Sequence, residues 1–93
     1  MATKTKIAQL SSDMVIPPGE FLEEEIEARG ISQRELARQT GRPAQAINEI
    51  IRGRKRITAE TALDLERVLG TPASFWMNLE SNYQLAVVRL RRQ

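Results

Sequence analysis

The stretch SQRELARQTGRPAQAINEIIRG, Ser32 to Gly53, decides the fold. Ser32 and Glu35 stand in capping-box spacing ahead of the apolar Leu36 and Ala37, so a helix of about two turns opens after Ser32 and closes at Gly41. A second short helix follows, with Pro43 where a helix begins, Ile47, Ile50 and Ile51 on its inward side, and Gly53 as its end. Small Ala37 lets the two helices approach closely, and Gly41 supplies the positive φ that a tight turn needs. Ile47 and Ile50 anchor the second helix, whose other side is left free.

Those elements, in that order, are what a helix-turn-helix requires. The outward side of the second helix carries Arg42, Gln45, Ala46, Asn48, Glu49 and Arg52, amide and guanidinium groups suited to base edges in a major groove. Gln45 and Asn48 are the best candidate base readers, since a carboxamide matches adenine. Gln33 and Arg34, at the start of the preceding helix, and Arg52, Arg54, Lys55 and Arg56, in the loop beyond, are candidates for phosphate contact. Taken alone, Gln45 and Asn48 would be ordinary helix surface and the basic run a solvated turn; within this motif the DNA reading is preferred.

Outward from the motif, the chain reads as helices only. Phe21, Leu22 and Ile26 set a helical spacing that stops at Gly30. The acids Glu20, Glu23, Glu24, Glu25 and Glu27 read as a solvated face that also suits the helix dipole, the sharper alternative being a landing face for a basic protein partner. TAETALDLERVLG, with Thr58 as cap and Ala62, Leu65, Val68 and Leu69 inward, gives a fourth helix. A fifth opens at TPASFW, with Thr71 as cap and Pro72 in the first helical position, and runs far toward the C-terminus. Phe75 and Trp76 near its start are expected to pack in the core. Leu79, Tyr83 and Leu90 continue the apolar stripe, while Leu85 and Val88 lie off it. That surplus marks a second buried surface, and Leu79, Tyr83, Leu85, Val88 and Leu90 are the candidate homodimer contacts. No strand-length alternation interrupts the pattern, so the expected fold is all-α, about five helices, with a long C-terminal helix. Residues 1–13, rich in Lys, Thr, Ser and Gln, read as a tail, and 14–93 as one domain.

Composition narrows the chemistry. The 93 residues contain neither cysteine nor histidine, which excludes disulfides, thiolate or imidazole metal sites and any imidazole- or thiol-based catalytic pair. With no phosphate-cradling glycine loop either, an enzyme is not expected, nor a cofactor, a metal or a small-molecule substrate. No signal peptide or membrane-spanning run is legible, so the expected location is cytoplasmic, with no membrane partner. Net charge is only +2, but it is unevenly placed: Asp13 to Gly30 holds six acids against one arginine, and Ser32 to Arg56 seven bases against two acids. A local basic surface of this kind suits nucleic acid.

Three pieces in sequence carry a resemblance: PPGEFL from Pro17, INEIIRGRKRITAETAL from Ile47, and SFWMNLE from Ser74. Together they resemble the HigA-type antitoxins, a branch of the phage-repressor-like, or XRE, helix-turn-helix family, over roughly residues 16 to 83. The resemblance implies a dimer that binds double-stranded operator DNA upstream of its own operon and neutralises a HigB-like toxin, a ribosome-dependent messenger-RNA endonuclease. A stand-alone XRE-family repressor without a toxin partner, and a protein-binding module that has lost operator binding, are the alternatives. The excess of bases over Ser32 to Arg56 weighs against the second.

Overall fold

The computed structural model describes residues 16–93, and the expected tail of 1–13 lies outside them. Five helices make up the described part: α1 Pro18–Arg29, α2 Gln33–Thr40, α3 Ala44–Ile51, α4 Ala59–Leu69 and α5 Ala73–Arg91. No strand occurs among the described residues, in keeping with the all-α expectation.

Helix ends follow the local chemistry of the sequence. Ser32 Oγ accepts the Glu35 N–H at 3.0 Å, which is the forward half of a capping box. The reverse half is absent, because the Glu35 carboxylate is taken by Arg38 and Gln39 one turn further on. Hydrogen bonds from Arg38 and then Gln39 hold that carboxyl at about 2, below its ordinary value of 4.5. Thr58 caps α4 by accepting the Thr61 N–H at 3.3 Å. At α5 the expected Thr71 cap is replaced from outside the helix: the Glu66 carboxylate of α4 accepts the Ala73 N–H at 3.1 Å. Pro43 and Pro72 each stand one residue earlier than expected, as extended N-caps with ψ of 143° and 142° rather than as first helical residues.

Between α2 and α3 the chain turns at Gly41, whose φ of 76° lies in the left-handed region. The Gly41 and Arg42 N–H groups both donate to the Ala37 carbonyl, at 2.9 and 3.1 Å. The turn is thereby closed on the small residue that lets α2 and α3 meet.

The core is contributed by every helix. Leu22, Leu36, Ile47, Leu65 and Trp76 are fully buried, and Ile26, Ile50, Ile51, Ile57 and Leu69 nearly so. Phe21, Phe75 and Trp76 meet with ring centroids 5.0 to 5.7 Å apart in tilted and edge-on geometry, so Phe75 and Trp76 do pack inward. At eight residues α3 is too short to be helical in isolation. Its three isoleucines, each worth about 1.5–3 kcal/mol when buried, hold it in place.

Against α3 lies the start of α1, in a close backbone approach at Gly19. A Cβ on Gly19 would stand 1.9 Å from the Ile50 carbonyl oxygen and 2.6 Å from Ile51 Cα. Only glycine fits there. Helices α2 and α4 pack together, α5 covers α4 and α1, and the outer side of α3 is left uncovered.

Candidate nucleic-acid interface

The free side of α3 begins with exposed Gln45 and continues through half-buried Ala46, Asn48 and Glu49. Asn48 is not an independent side chain. Its Nδ2 donates to Gln33 Oε1 at 3.0 Å, joining the middle of α3 to the first residue of α2. The bond leaves Asn48 with its Oδ1 and one N–H, and Gln33 with its amide donors, so each keeps polar atoms for a ligand while holding the other in position. Gln45 reaches toward Glu49 along the same helix, at 3.4 Å. Arg34 is exposed on the neighbouring turn of α2.

Beyond α3 the chain enters a short turn that presents Arg52, Arg54, Lys55 and Arg56, all exposed. The Gly53 N–H donates to Ile50 O at 3.0 Å and the Arg54 N–H to Glu49 O at 2.8 Å, which fixes the start of the turn to the helix. The structure thus gathers Gln33, Asn48, Arg52 and Arg54 along one groove, while Lys55 and Arg56 follow on the turn toward α5.

Arg42 is placed differently from the other candidates. It precedes α3, and its Nε donates to Asp64 of α4 at 2.8 Å. Asp64 also meets Arg67, whose guanidinium reaches the Gln39 and Thr40 carbonyls at 3.3 and 3.5 Å. Arg42, Asp64 and Arg67 therefore strap the helix-turn-helix onto α4. Sequence reasoning did not find this strap, because Arg42 and Asp64 are 22 residues apart and only the Asp64–Arg67 spacing is a local signal.

Facing the basic edge is an acidic one. Glu20, Glu23, Glu24 and Glu27 of α1 look across a groove of about 700 Å³ toward Gln33, Asn48, Arg52 and Arg54. No cluster of side chains suited to a metal ion occurs among the described residues. No helix of the described part is long and apolar enough to cross a membrane.

The candidate dimer residues divide. Leu79 packs against the chain's own core, and Tyr83 and Val88 are half-buried. Leu85 and Leu90 remain 49% and 48% exposed.

This arrangement, a short uncovered helix flanked by exposed cations, is that of a DNA-binding protein, and residues 22–76 match the family model described as helix-turn-helix. The chain belongs to that family, of the XRE type, a DNA-binding and non-enzymatic class. Among solved structures it is similar to the Pseudomonas aeruginosa antitoxin HigA with its higBA promoter, at 39% identity over 84% of this chain and 86% of that one, with a TM-score of 0.80. It is also similar to an addiction module antidote protein of the HigA family from Coxiella burnetii, at 35% identity over 83% and 85% of the two chains, with a TM-score of 0.77. A further relative, virulence-associated protein I of Dichelobacter nodosus, is 39% identical over 84% of this chain and 73% of its own length. The chain matches a HigA-type antitoxin in sequence and fold.

Proposed function

We propose that the protein is an antitoxin that, as a homodimer, binds operator DNA to repress its own operon and neutralises a HigB-like messenger-RNA endonuclease. The observation that supports the DNA part is the groove shared by Gln33, Asn48, Arg52 and Arg54, with the Asn48–Gln33 bond joining α3 to α2 and the exposed cations of the Arg52–Arg56 turn following α3. Gln45 and Asn48 read bases, with Ala46 and Glu49 beside them. Gln33, Arg34, Arg52, Arg54, Lys55 and Arg56 hold the backbone, and Arg42 keeps α3 oriented through Asp64. The P. aeruginosa relative seen with its promoter supports this assignment.

Dimerisation through Leu85, Val88 and Leu90 of α5, with Tyr83 beside them, would present two α3 helices to successive major grooves about 34 Å apart on a near-palindromic site. The toxin partner is inferred from the likeness to HigA antitoxins.

Fluorescence anisotropy on duplex DNA from upstream of the gene, beside a scrambled duplex and over a range of salt, tests the DNA reading. Five exposed cations per protomer, Arg34, Arg52, Arg54, Lys55 and Arg56, are available for phosphate. With half of those in a dimer engaged, log K should fall against log salt with a slope of about −4 to −5. Equal affinity for both duplexes would defeat the claim of an operator there. Co-purification from the native host should recover a small basic protein in stoichiometric amount, and its absence would leave a stand-alone repressor.

A further inference from the structure

One buried acid has no part in the interface described so far. Glu80, in the middle of α5, is only 7% exposed. A buried carboxylate is costly unless it is hydrogen-bonded. Among the described residues no ion pair involves it. Instead Oε1 accepts the Ile57 backbone N–H at 2.9 Å, and Oε2 accepts Gln84 Nε2 at 2.7 Å.

Ile57 closes the basic turn. Its side chain is 2% exposed in the core, and its N–H points to Glu80. The other end of the turn is fixed to α3 by the Gly53 and Arg54 N–H groups. Four cations are therefore carried on a segment pinned at one end to the recognition helix and at the other to α5, with Glu80 as the second pin. Arg54, Lys55 and Arg56 line, with Glu80 and Tyr83, a cavity of about 230 Å³ beneath the turn.

We propose that Glu80 is a positioning residue for DNA binding: its carboxylate, bonded to the Ile57 N–H, sets the Arg52–Arg56 turn at the height and angle at which its cations meet phosphate. This rests on the DNA reading above. Glu80 touches no DNA itself. Its effect falls on phosphate contact, which is common to all sequences, and not on the base reading by Gln45 and Asn48.

Three variants separate reach from charge. Glu80→Asp keeps the charge but shortens the arm that meets Ile57, Glu80→Gln keeps an acceptor oxygen at the same reach without the charge, and Glu80→Ala removes both. Binding is measured on the upstream and scrambled duplexes over a salt series, well below each variant's melting temperature. Glu80→Asp and Glu80→Ala should weaken both duplexes by about three- to tenfold and make the salt slope shallower by about one, the signature of a lost phosphate contact. Glu80→Gln should stay within about twofold of wild type, and the preference between duplexes should be unchanged in all three. Amide hydrogen exchange at Ile57 should quicken in Glu80→Asp while that of Leu65 does not, which reads the bond without DNA. If Glu80→Asp does not fold, Gln84→Ala, which removes the donor that orients the carboxylate, should show a smaller change of the same sign. A folded Glu80→Asp with wild-type affinity and slope would overturn the role of Glu80 alone, as would a Glu80→Gln as weak as Glu80→Asp. A wild-type protein that bound neither duplex would overturn the DNA reading and this role with it.

Discussion

At Gly19 the fold has no room for even one more carbon, since a Cβ would sit 1.9 Å from the Ile50 carbonyl oxygen. Gly19→Ala should force α1 away from α3 and cost about 3 kcal/mol or more. Thermal unfolding followed by far-UV circular dichroism checks this, and an unchanged midpoint would mean that the contact relaxes freely. On the proposed function, Asn48 and Arg54 should separate reading from holding. Asn48→Ala should cost about 1–3 kcal/mol on the preferred duplex and much less on random DNA. Arg54→Ala should weaken both alike and reduce the salt slope by about one. A loss shared equally by the two duplexes in Asn48→Ala would sink its role in base reading. Single residues are also where the sequence was least legible. The polarity and spacing of Gln33 and Asn48 marked them as contacts, but their mutual bond spans 15 residues and depends on how α2 and α3 pack. The Arg42–Asp64 pair and the Glu80–Ile57 bond were hidden for the same reason, since neither has a local pattern.

Helices, by contrast, were legible almost throughout, because their signals are local. Ser32 and Thr58 bind N–H groups three residues on, and the apolar positions of α2, α3 and α4 recur at helical spacing. What local signals missed was competition: Arg38 and Gln39 draw Glu35 out of its capping box, and Glu66 reaches from α4 to cap α5. Helix α5 itself has two faces. Its inner face carries Leu79 against the core and Glu80 against Ile57, and its outer face leaves Leu85 and Leu90 about half exposed, more apolar surface than a chain of this size covers alone. Leu85→Glu combined with Leu90→Glu should yield a folded monomer in sedimentation equilibrium, whereas Leu79→Ala should lower stability and leave association intact. A double variant that still sedimented as a dimer would place the interface elsewhere.

At the scale of the whole described molecule, the groove between α1 and α3 sets acids on one side and bases on the other. The acids of α1 border the groove that ends at Asn48, Arg52 and Arg54, so a net charge of +2 conceals a basic edge with an acidic bank. Such a bank repels phosphate that approaches out of register and costs little when the duplex is seated on the basic edge. Replacing Glu20, Glu23, Glu24 and Glu27 by glutamine should raise affinity for random duplex by about tenfold at low salt, with less effect as ionic strength rises. Unchanged affinity at low salt would show that the acids lie too far from bound DNA to matter. The separation of sides reaches into α3 as well. Its inward positions are occupied by Ile47, Ile50 and Ile51, all three buried. Inheritance can therefore rewrite the outward positions, Gln45 above all, without disturbing the core that keeps the helix folded. Duplicated copies of such a gene can drift toward separate operators one outward residue at a time, each intermediate remaining a folded protein.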